Sequence, residues 1–314
     1  MTRAVAAVLG IALTASPAFA DDRPAGPAVN AQSFRLDPIG TGLPGLAGTA
    51  LLPRHGLHLG LGLVHAVSPL EASTETEGAL VRRITTLDVG IGYGLGVLDL
   101  FLTLPMHLDV EAGAEDVLDR PYIHGFGGLG DIRFGAVGRI LDAEELTFGL
   151  AVRVEATVPT GDASGSLGWA GPTLRPAVLT EFRAWVIRFL TETSLHLRPR
   201  ADALGVVAHH ALGVTLGLAV TPTAPTELRA LEIAVLLDAR PELPDTPGEE
   251  LPASRSPVEW RVALVARPTP CIALQAGAGT GIGSGWGTPK ARVFVALDVT
   301  VDASGRGCGD RSAL

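Results

Sequence analysis

The sequence predicts an all-β protein that forms an antiparallel, up-and-down transmembrane β-barrel of about twelve strands. Three observations predict this fold class. Segments of about ten residues alternate between apolar and small or polar residues, long and short connections follow each other in turn, and charged residues share the phase of the small ones. A period of two is typical of strands, and a tilted membrane strand needs about 9–11 residues.

The alternation is clearest in the first three predicted strands. LHLGLGLVHAV (57–67) places leucines on one face and His58 and glycines on the other. ITTLDVGIGYGL (84–95) and VLDLFLTLPMH (97–107) repeat this pattern, with Asp88 and Asp99 on the small-residue face. Further strands are predicted at 131–140, 146–158, 173–183, 186–198, 210–220, 229–239, 258–267, 271–280 and 290–300.

The connections between these strands alternate in length. A long one after the first strand is followed by a very short one around Leu95, a long one at 109–128, a short one at 142–145 and a long one at 159–172. Outer-membrane barrels have short periplasmic turns and longer external loops. The rhythm therefore favours a membrane barrel, and we take a secreted, soluble β-sandwich that binds a ligand as the alternative.

The segment LTFGLAVRVEATVPTGDASG (146–165) carries Arg153 and Glu155 inside an apolar strand. In a barrel, Leu146, Val152 and Val154 would face lipid while both charges face the lumen. A charge on the lipid face costs roughly 2–4 kcal/mol at the bilayer midplane, so a consistent inward phase is expected. The same phase predicts a lumen lined by Arg133, Arg139, Arg153, Glu155, Arg175, Glu181, Arg183, Arg188, Glu192, Glu232, Asp238, Glu259, Arg261, Arg292 and Asp298, with His196 and Arg267 beside them.

The domain order follows from the ends of the chain. MTRAVAAVLGIALTASPAFA (1–20) has one early arginine, a short apolar run and an Ala-x-Ala ending, which predicts a secretory signal cleaved before Asp21. Its apolar run falls short of the roughly 20 residues that a membrane helix needs. We expect residues 21–56 to be a periplasmic segment, 57–300 the barrel and 301–314 a periplasmic tail, with the mature protein in the outer membrane.

Several other classes of function are not expected. A net charge of −9 argues against nucleic acid, which requires a basic surface. Gly125, Gly127 and Gly130 match a dinucleotide-binding spacing, but a strand-like segment follows where a helix is required. His58 and His65 have opposite parity on one strand, and no serine completes a nucleophile elbow. We therefore expect no cofactor, no metal, no catalytic residues and no enzymatic activity.

Several segments resemble outer-membrane β-barrel proteins of Gram-negative bacteria whose barrel often precedes an OmpA-like peptidoglycan-binding domain. These segments are GFGGLGDIRFGAVGRIL (125–141), VEATVPTGDASG (154–165), LHLRPRAD (195–202) and GAGTGIGSGWGTPKARVFVAL (277–297). The resemblance covers about residues 34–300 and implies an outer-membrane barrel in contact with lipid and with the barrel assembly machinery. With the chain stopping at Leu314, the expectation is a barrel without the peptidoglycan-binding domain, whose assembly signal is VFVALDV (293–299).

The charged lumen is compatible with two functions. If acidic and basic side chains pair across it, the barrel is occluded and structural. If they separate into opposed walls, small polar solutes can diffuse through, as in charged-ring pores.

Cys271 and Cys308 are the two cysteines of the chain. The predicted topology places both at the periplasmic rim, an oxidising compartment. We expect a disulfide that tethers the tail to the rim and stabilises the fold by a few kcal/mol.

Overall fold

The computed structural model describes residues 34–71, 79–112, 127–161, 167–169, 171–199, 201–203, 206–208, 210–222, 231–244, 256–282 and 288–302. The predicted signal peptide and Cys308 lie outside these ranges. No helix within them is long and apolar enough to cross a membrane.

The described elements are strands and one helical turn, α1 (Ala143–Leu146). The first half of the chain forms β1 (Gly56–Glu71), β2 (Ala79–Gly94), β3 (Leu98–Ala112), β4 (Gly128–Leu129), β5 (Ile132–Leu141), β6 (Phe148–Val158), β7 (Thr173–Ala184) and β8 (Ile187–His196). The second half forms β9 (Ala201–Ala203), β10 (Val206–Ala208), β11 (Ala211–Val220), β12 (Leu231–Ala239), β13 (Val258–Thr269), β14 (Ile272–Ile282) and β15 (Ala291–Asp302).

Twelve of these strands close into one antiparallel barrel. Consecutive strands pair in order, β2 pairs with both β1 and β3, and β1 pairs with β15 from Gly56↔Asp302 to Val67↔Ala291. The short β4 adds to β3, and β9 and β10 form a separate hairpin in the connection expected to be a loop at 199–208. This architecture confirms the predicted fold class and disfavours the sandwich, because the sheet closes on itself instead of packing against a second sheet.

The two faces of the barrel differ as the alternation predicts. On β1, Leu57, Leu59, Leu61 and Leu63 are exposed on the outside, while His58 is buried inside. Every second residue of β6 from Gly149 to Thr157 is buried, and the residues between them are half-buried on the outer face. An apolar outer surface of this extent belongs in hydrocarbon.

Most of the short connections lie at one rim of the barrel. They are the turns at 95–97, 142–147, 185–186 and 270–271, and the start of β1 lies at the same rim because Gly56 pairs with Asp302. We refer to it as the periplasmic rim, since short turns face the periplasm in such barrels. Leu146, which we predicted on the lipid face of a strand, instead ends the helical turn α1 at this rim, and β6 begins at Phe148.

Residues 34–55 differ from the expectation of a periplasmic segment. Side chains of residues 34–52, which we call the internal segment, contact the inner faces of strands on opposite sides of the barrel: Leu36 approaches Gly62 of β1, Thr49 approaches Gly149 of β6, and Leu46 approaches Gly217 of β11. The segment therefore crosses the lumen. Glycines and alanines on the inner wall leave the space that it occupies.

Two apolar clusters hold the internal segment. Phe34, Leu43 and Leu46 pack with wall residues that include Leu190 and Leu236. In the second cluster, Ile39, Ala47, Leu51 and Leu52 pack with Phe101, Val137, Ala151 and Leu179. Fully burying one leucine or phenylalanine side chain is worth about 1.5–3 kcal/mol, so these anchors stabilise the segment against displacement into water.

The internal segment makes a tight turn at LPGL (43–46). Leu43 and Leu46 exchange two backbone hydrogen bonds of 2.9 Å across it. Proline and glycine at the two central positions are the residues that a type II turn requires, and Gly45 has the positive φ of 79° expected there. A side chain at Gly45 would also lie 2.5 Å from the guanidinium of Arg261.

Candidate functional site: the barrel lumen

The lumen is the candidate site, and the structure places the predicted lumen residues on the inner face of their strands. Twelve of them are buried: Arg133, Arg153, Glu155, Glu181, Arg188, Glu192, Glu232, Asp238, Glu259, Arg261, Arg292 and Asp298. Arg175 is slightly more accessible, and Arg139 and Arg183 are about a third exposed close to the periplasmic rim. Arg139 pairs with Asp142 at that rim, away from the central lumen.

Many of the residues that line the lumen are arginines. We refer to seven of them as the arginine belt: Arg35, Arg133, Arg153, Arg175, Arg240, Arg261 and Arg292. They come from the internal segment, from the inner faces of β5, β6, β7, β13 and β15, and from the residue that follows β12. Two of them stack on the ring of Phe34 of the internal segment. The guanidinium carbons of Arg261 and Arg292 lie 4.7 and 5.0 Å from its ring centroid.

The belt arginines share a smaller number of carboxylates. Arg153 donates a 2.6 Å hydrogen bond to Oε1 of Glu192, and Arg175 donates to the same oxygen. Oδ2 of Asp238 likewise accepts from Arg240 and lies 3.4 Å from Arg261. Acidic and basic groups therefore pair, as in the occluded arrangement that the sequence left open, and they do not separate into opposed walls.

Simple pairs complete the belt. Arg292 forms a bidentate contact with Glu259, at 2.8 and 3.2 Å. Arg133 donates a 3.1 Å hydrogen bond to Asp88. Removing one partner of such a buried pair strongly destabilises the folded protein, because the other charge then stays buried without a partner.

The internal segment contributes two charged groups to the lumen. Arg35 pairs with Glu155, and burial lowers the pKa of the Arg35 guanidinium to about 10 against the opposing effect of that carboxylate. Asp37 accepts hydrogen bonds from the backbone N–H groups of Gly42, at 2.8 Å, and Ile39, at 3.3 Å. Burial raises the pKa of the Asp37 carboxyl, and these hydrogen bonds only partly offset that effect.

Polar contacts also fix residues 41–52 of the internal segment to the wall. Glu181 accepts hydrogen bonds from the backbone N–H and the hydroxyl of Thr49, at 3.0 and 2.9 Å. Asp99 accepts a 2.8 Å hydrogen bond from the backbone N–H of Leu52. Arg188 donates a 2.8 Å hydrogen bond to the carbonyl oxygen of Thr41. Because the internal segment is neither helix nor strand, its backbone N–H and C=O groups need other partners, and carboxylate and guanidinium groups of the wall provide them.

A polar cavity of about 330 Å³ lies between the internal segment and the periplasmic rim. Its lining includes Gly40 and Thr41 of the segment and the turn residues Pro270 and Cys271. Pro270 is exposed, so the cavity extends to the surface of the protein at this rim.

The sequence did not reveal the role of the internal segment. Arg35 and Thr49 contact the lumen wall, and Asp37 is buried beside them, although all three precede the first strand. The available signals were the LPGL turn and the unusual number of glycines on the lumen face, such as Gly62 and Gly217, because a wide barrel with small inner residues requires something to fill it. Arg240, just past the end of β12, was also missed.

No group of three or more His, Cys, Asp or Glu side chains within the described ranges is arranged to hold a metal ion.

The predicted disulfide remains a prediction, because Cys308 lies outside the described residues. Cys271 is at the turn between β13 and β14, where its carbonyl accepts a 2.8 Å hydrogen bond from the N–H of Thr300. The last described part of β15 is therefore beside Cys271. We expect fewer than one free thiol per chain when the denatured, unreduced protein is labelled, and two after reduction. Two labelled thiols before reduction would exclude the bridge.

Comparison with solved structures finds a similar fold. No protein-family model and no curated protein matches the sequence. The structure is similar to an outer-membrane channel from Pseudomonas putida F1, with a TM-score of 0.58 and 16% identity over 80% of this chain and 97% of that one. Lower TM-scores relate it to the translocator domain of the autotransporter NalP from Neisseria meningitidis (0.45, 12% identity, 80% and 90% covered) and to the NanC porin (0.44, 11%, 77% and 98%).

The fold is that of an outer-membrane β-barrel. The closed sheet of twelve strands, the apolar outer face and the similarity to an outer-membrane channel all agree with this class. The protein therefore has the fold of an outer-membrane β-barrel, with a charged, polar lumen.

Proposed function

We propose that the protein is a passive outer-membrane channel for small polar solutes, in which the internal segment restricts the passage. This proposal is carried by one observation, that the lumen is filled by the internal segment. A barrel of eight strands is just wide enough to be filled by its own side chains, and twelve strands enclose more space. Here a single chain segment fills that space, and its displacement would leave a wide polar passage.

The proposal includes the route to the membrane. Residues 1–20 direct export and are cleaved before Asp21, and the assembly machinery of the outer membrane inserts the barrel formed by residues 57–300. No enzymatic activity is proposed. Arginine–carboxylate pairs dominate the described part of the lumen, in which the Ser194 hydroxyl also lies 3.0 Å from Nε2 of His196.

A second function, a closed structural barrel, is favoured by two observations. Leu43 and Leu46 are fully buried in an apolar cluster, and the charges around the internal segment are paired. If the internal segment is never displaced from the lumen, the barrel is a structural element of the membrane.

Conductance in a planar lipid bilayer separates the two functions. The refolded wild-type protein is expected to insert and to give small, discrete conductance steps in potassium chloride. A heat-modifiable, correctly folded barrel that inserts without conductance steps would exclude the channel and support the structural function. Membrane fractionation provides the control for insertion.

The raised pKa of Asp37 predicts a dependence of conductance on pH. A folded-state pKa above the ordinary value of 3.8 means that the protonated carboxyl favours the seated segment, and that this stabilisation is lost as the pH rises through the raised pKa. Asp298 opposes ionisation of Asp37, while Arg153 favours it. We therefore expect wild-type conductance to increase between acidic and neutral pH.

The matched variant is Asp37→Asn, which keeps the shape of the side chain and cannot ionise. Its conductance is expected to change much less with pH over the same range. An unchanged pH profile in this variant would assign the titration to another group.

A further inference from the structure

We propose that the cavity at the periplasmic rim is a binding site for a small anion that carries a carboxylate or phosphate group. We further propose that the bound anion competes with the internal segment for the guanidinium groups of Arg188 and Arg267. Binding itself does not require conduction, whereas the effect on the internal segment rests on the proposed channel function.

The size of the cavity fits a small solute. Its volume of about 330 Å³ lies at the lower end of the range for small-molecule sites, roughly 300–1,000 Å³. It would otherwise hold about ten water molecules, at roughly 30 Å³ each.

Guanidinium groups outnumber carboxylates in the lining of the cavity. Three arginines line it, Arg183, Arg188 and Arg267, against two carboxylates, Glu232 and Asp298. Arg183 and Arg188 also pair with Glu181, which does not line the cavity, and Arg267 pairs with Glu232. Asp298 accepts a 2.6 Å hydrogen bond from Gln275 and lies 3.4 Å from His58, so this carboxylate is already engaged from the far side. Guanidinium groups match carboxylate and phosphate oxygens in pairs, which gives both affinity and geometric selectivity.

The arginines of the site are accessible from the periplasmic rim. The Arg183 and Arg267 side chains retain about a third of their exposed surface, 33% and 29%. An anion can therefore reach them without prior movement of the barrel wall.

Besides the carboxylates of Glu181 and Glu232, two of these arginines have neutral acceptors on the internal segment. Arg188 donates to the carbonyl of Thr41 at 2.8 Å, and Arg267 approaches the carbonyl of Gly42 at 3.4 Å. Hydrogen bonds to an ionised acceptor are roughly twice as strong as neutral ones. An anion in the cavity would therefore replace the two carbonyls and loosen the bend of the segment at residues 40–42.

Calorimetric titration of the folded barrel in detergent tests the site directly, with inorganic phosphate and malonate as probes in Tris chloride buffer. We expect saturable binding of at least one probe, and the tighter of the two assigns the recognised group. Arg267→Gln is expected to weaken this binding at least about tenfold, because it removes a charged donor from the cavity. Arg54→Gln is the control, since Arg54 is exposed at the same rim and does not line the cavity.

Absence of saturable binding of both probes to the wild-type protein would overturn the proposed site, as would equal weakening in Arg267→Gln and Arg54→Gln. Conductance tests the second part: the binding probe, added on the periplasmic side, should increase wild-type conductance and have a smaller effect on Arg267→Gln. Binding without any change in a conducting wild-type channel would overturn the competition alone. Binding to a barrel that never conducts would leave the site in place and exclude the proposed channel.

Discussion

Replacing both Leu43 and Leu46 with aspartate is expected to raise the single-channel conductance several-fold. Both side chains are fully buried in the apolar cluster that also contains Leu190 and Leu236. A buried, unpaired carboxylate costs several kcal/mol, more than either leucine contributed by burial. We expect the internal segment to leave its position in the lumen, because the strand pairing that closes the barrel does not include it.

The matched control is Arg54→Asp, which changes the net charge by the same two units at an exposed position before β1. Its conductance should remain close to that of the wild type. The double variant should still migrate as a folded, heat-modifiable barrel. If it does so and conducts no better than Arg54→Asp, the internal segment does not limit the passage.

Replacing Val154 with arginine is expected to abolish assembly of most of the protein in the outer membrane. Val154 is on the outer face of β6, between the buried side chains of Arg153 and Glu155. A charge on the lipid face near the midplane costs roughly 2–4 kcal/mol, a large part of the stability of a typical protein. The fraction of heat-modifiable protein in the membrane measures the effect.

Arg153→Gln is the companion variant on the neighbouring residue. Glu192 keeps its contact with Arg175 when Arg153 is changed, so the lumen retains a partner for this buried carboxylate. Assembly of Arg153→Gln should therefore be much closer to that of the wild type. Similar losses in both variants would contradict the inward and outward assignment of β6.

The strands could be predicted because their signal is local. In the strands of a membrane barrel, apolar residues that face outwards alternate with polar or small residues that face inwards. Both LHLGLGLVHAV and the strand that contains Arg153 and Glu155 show this alternation. The strand number and the closed antiparallel sheet are confirmed. The boundary at Leu146 was wrong because the alternation continues by chance into a helical turn at the rim.

The contents of the lumen could not be predicted in the same way. The internal segment has no regular secondary structure, so no periodicity marks it, and its partners are far away in sequence: Arg35 meets Glu155, and Thr49 meets Glu181. Charge pairing has the same difficulty. Parity indicates that Arg153 and Glu192 face inwards, but only the closure of the barrel brings them together.

A disulfide cross-link between the internal segment and the barrel wall tests whether this segment lies in the lumen and restricts the passage. A Cβ at Gly149 would lie 3.0 Å from the Cβ of Thr49, so a small outward shift brings Thr49→Cys and Gly149→Cys to the 3.5–4.5 Å typical of a disulfide. The pair is introduced together with Cys271→Ser and Cys308→Ser. We expect nearly complete cross-linking by mass spectrometry, low conductance in the oxidised protein and higher conductance after reduction. Two free thiols in the folded, oxidised barrel would show that the segment does not lie in the lumen.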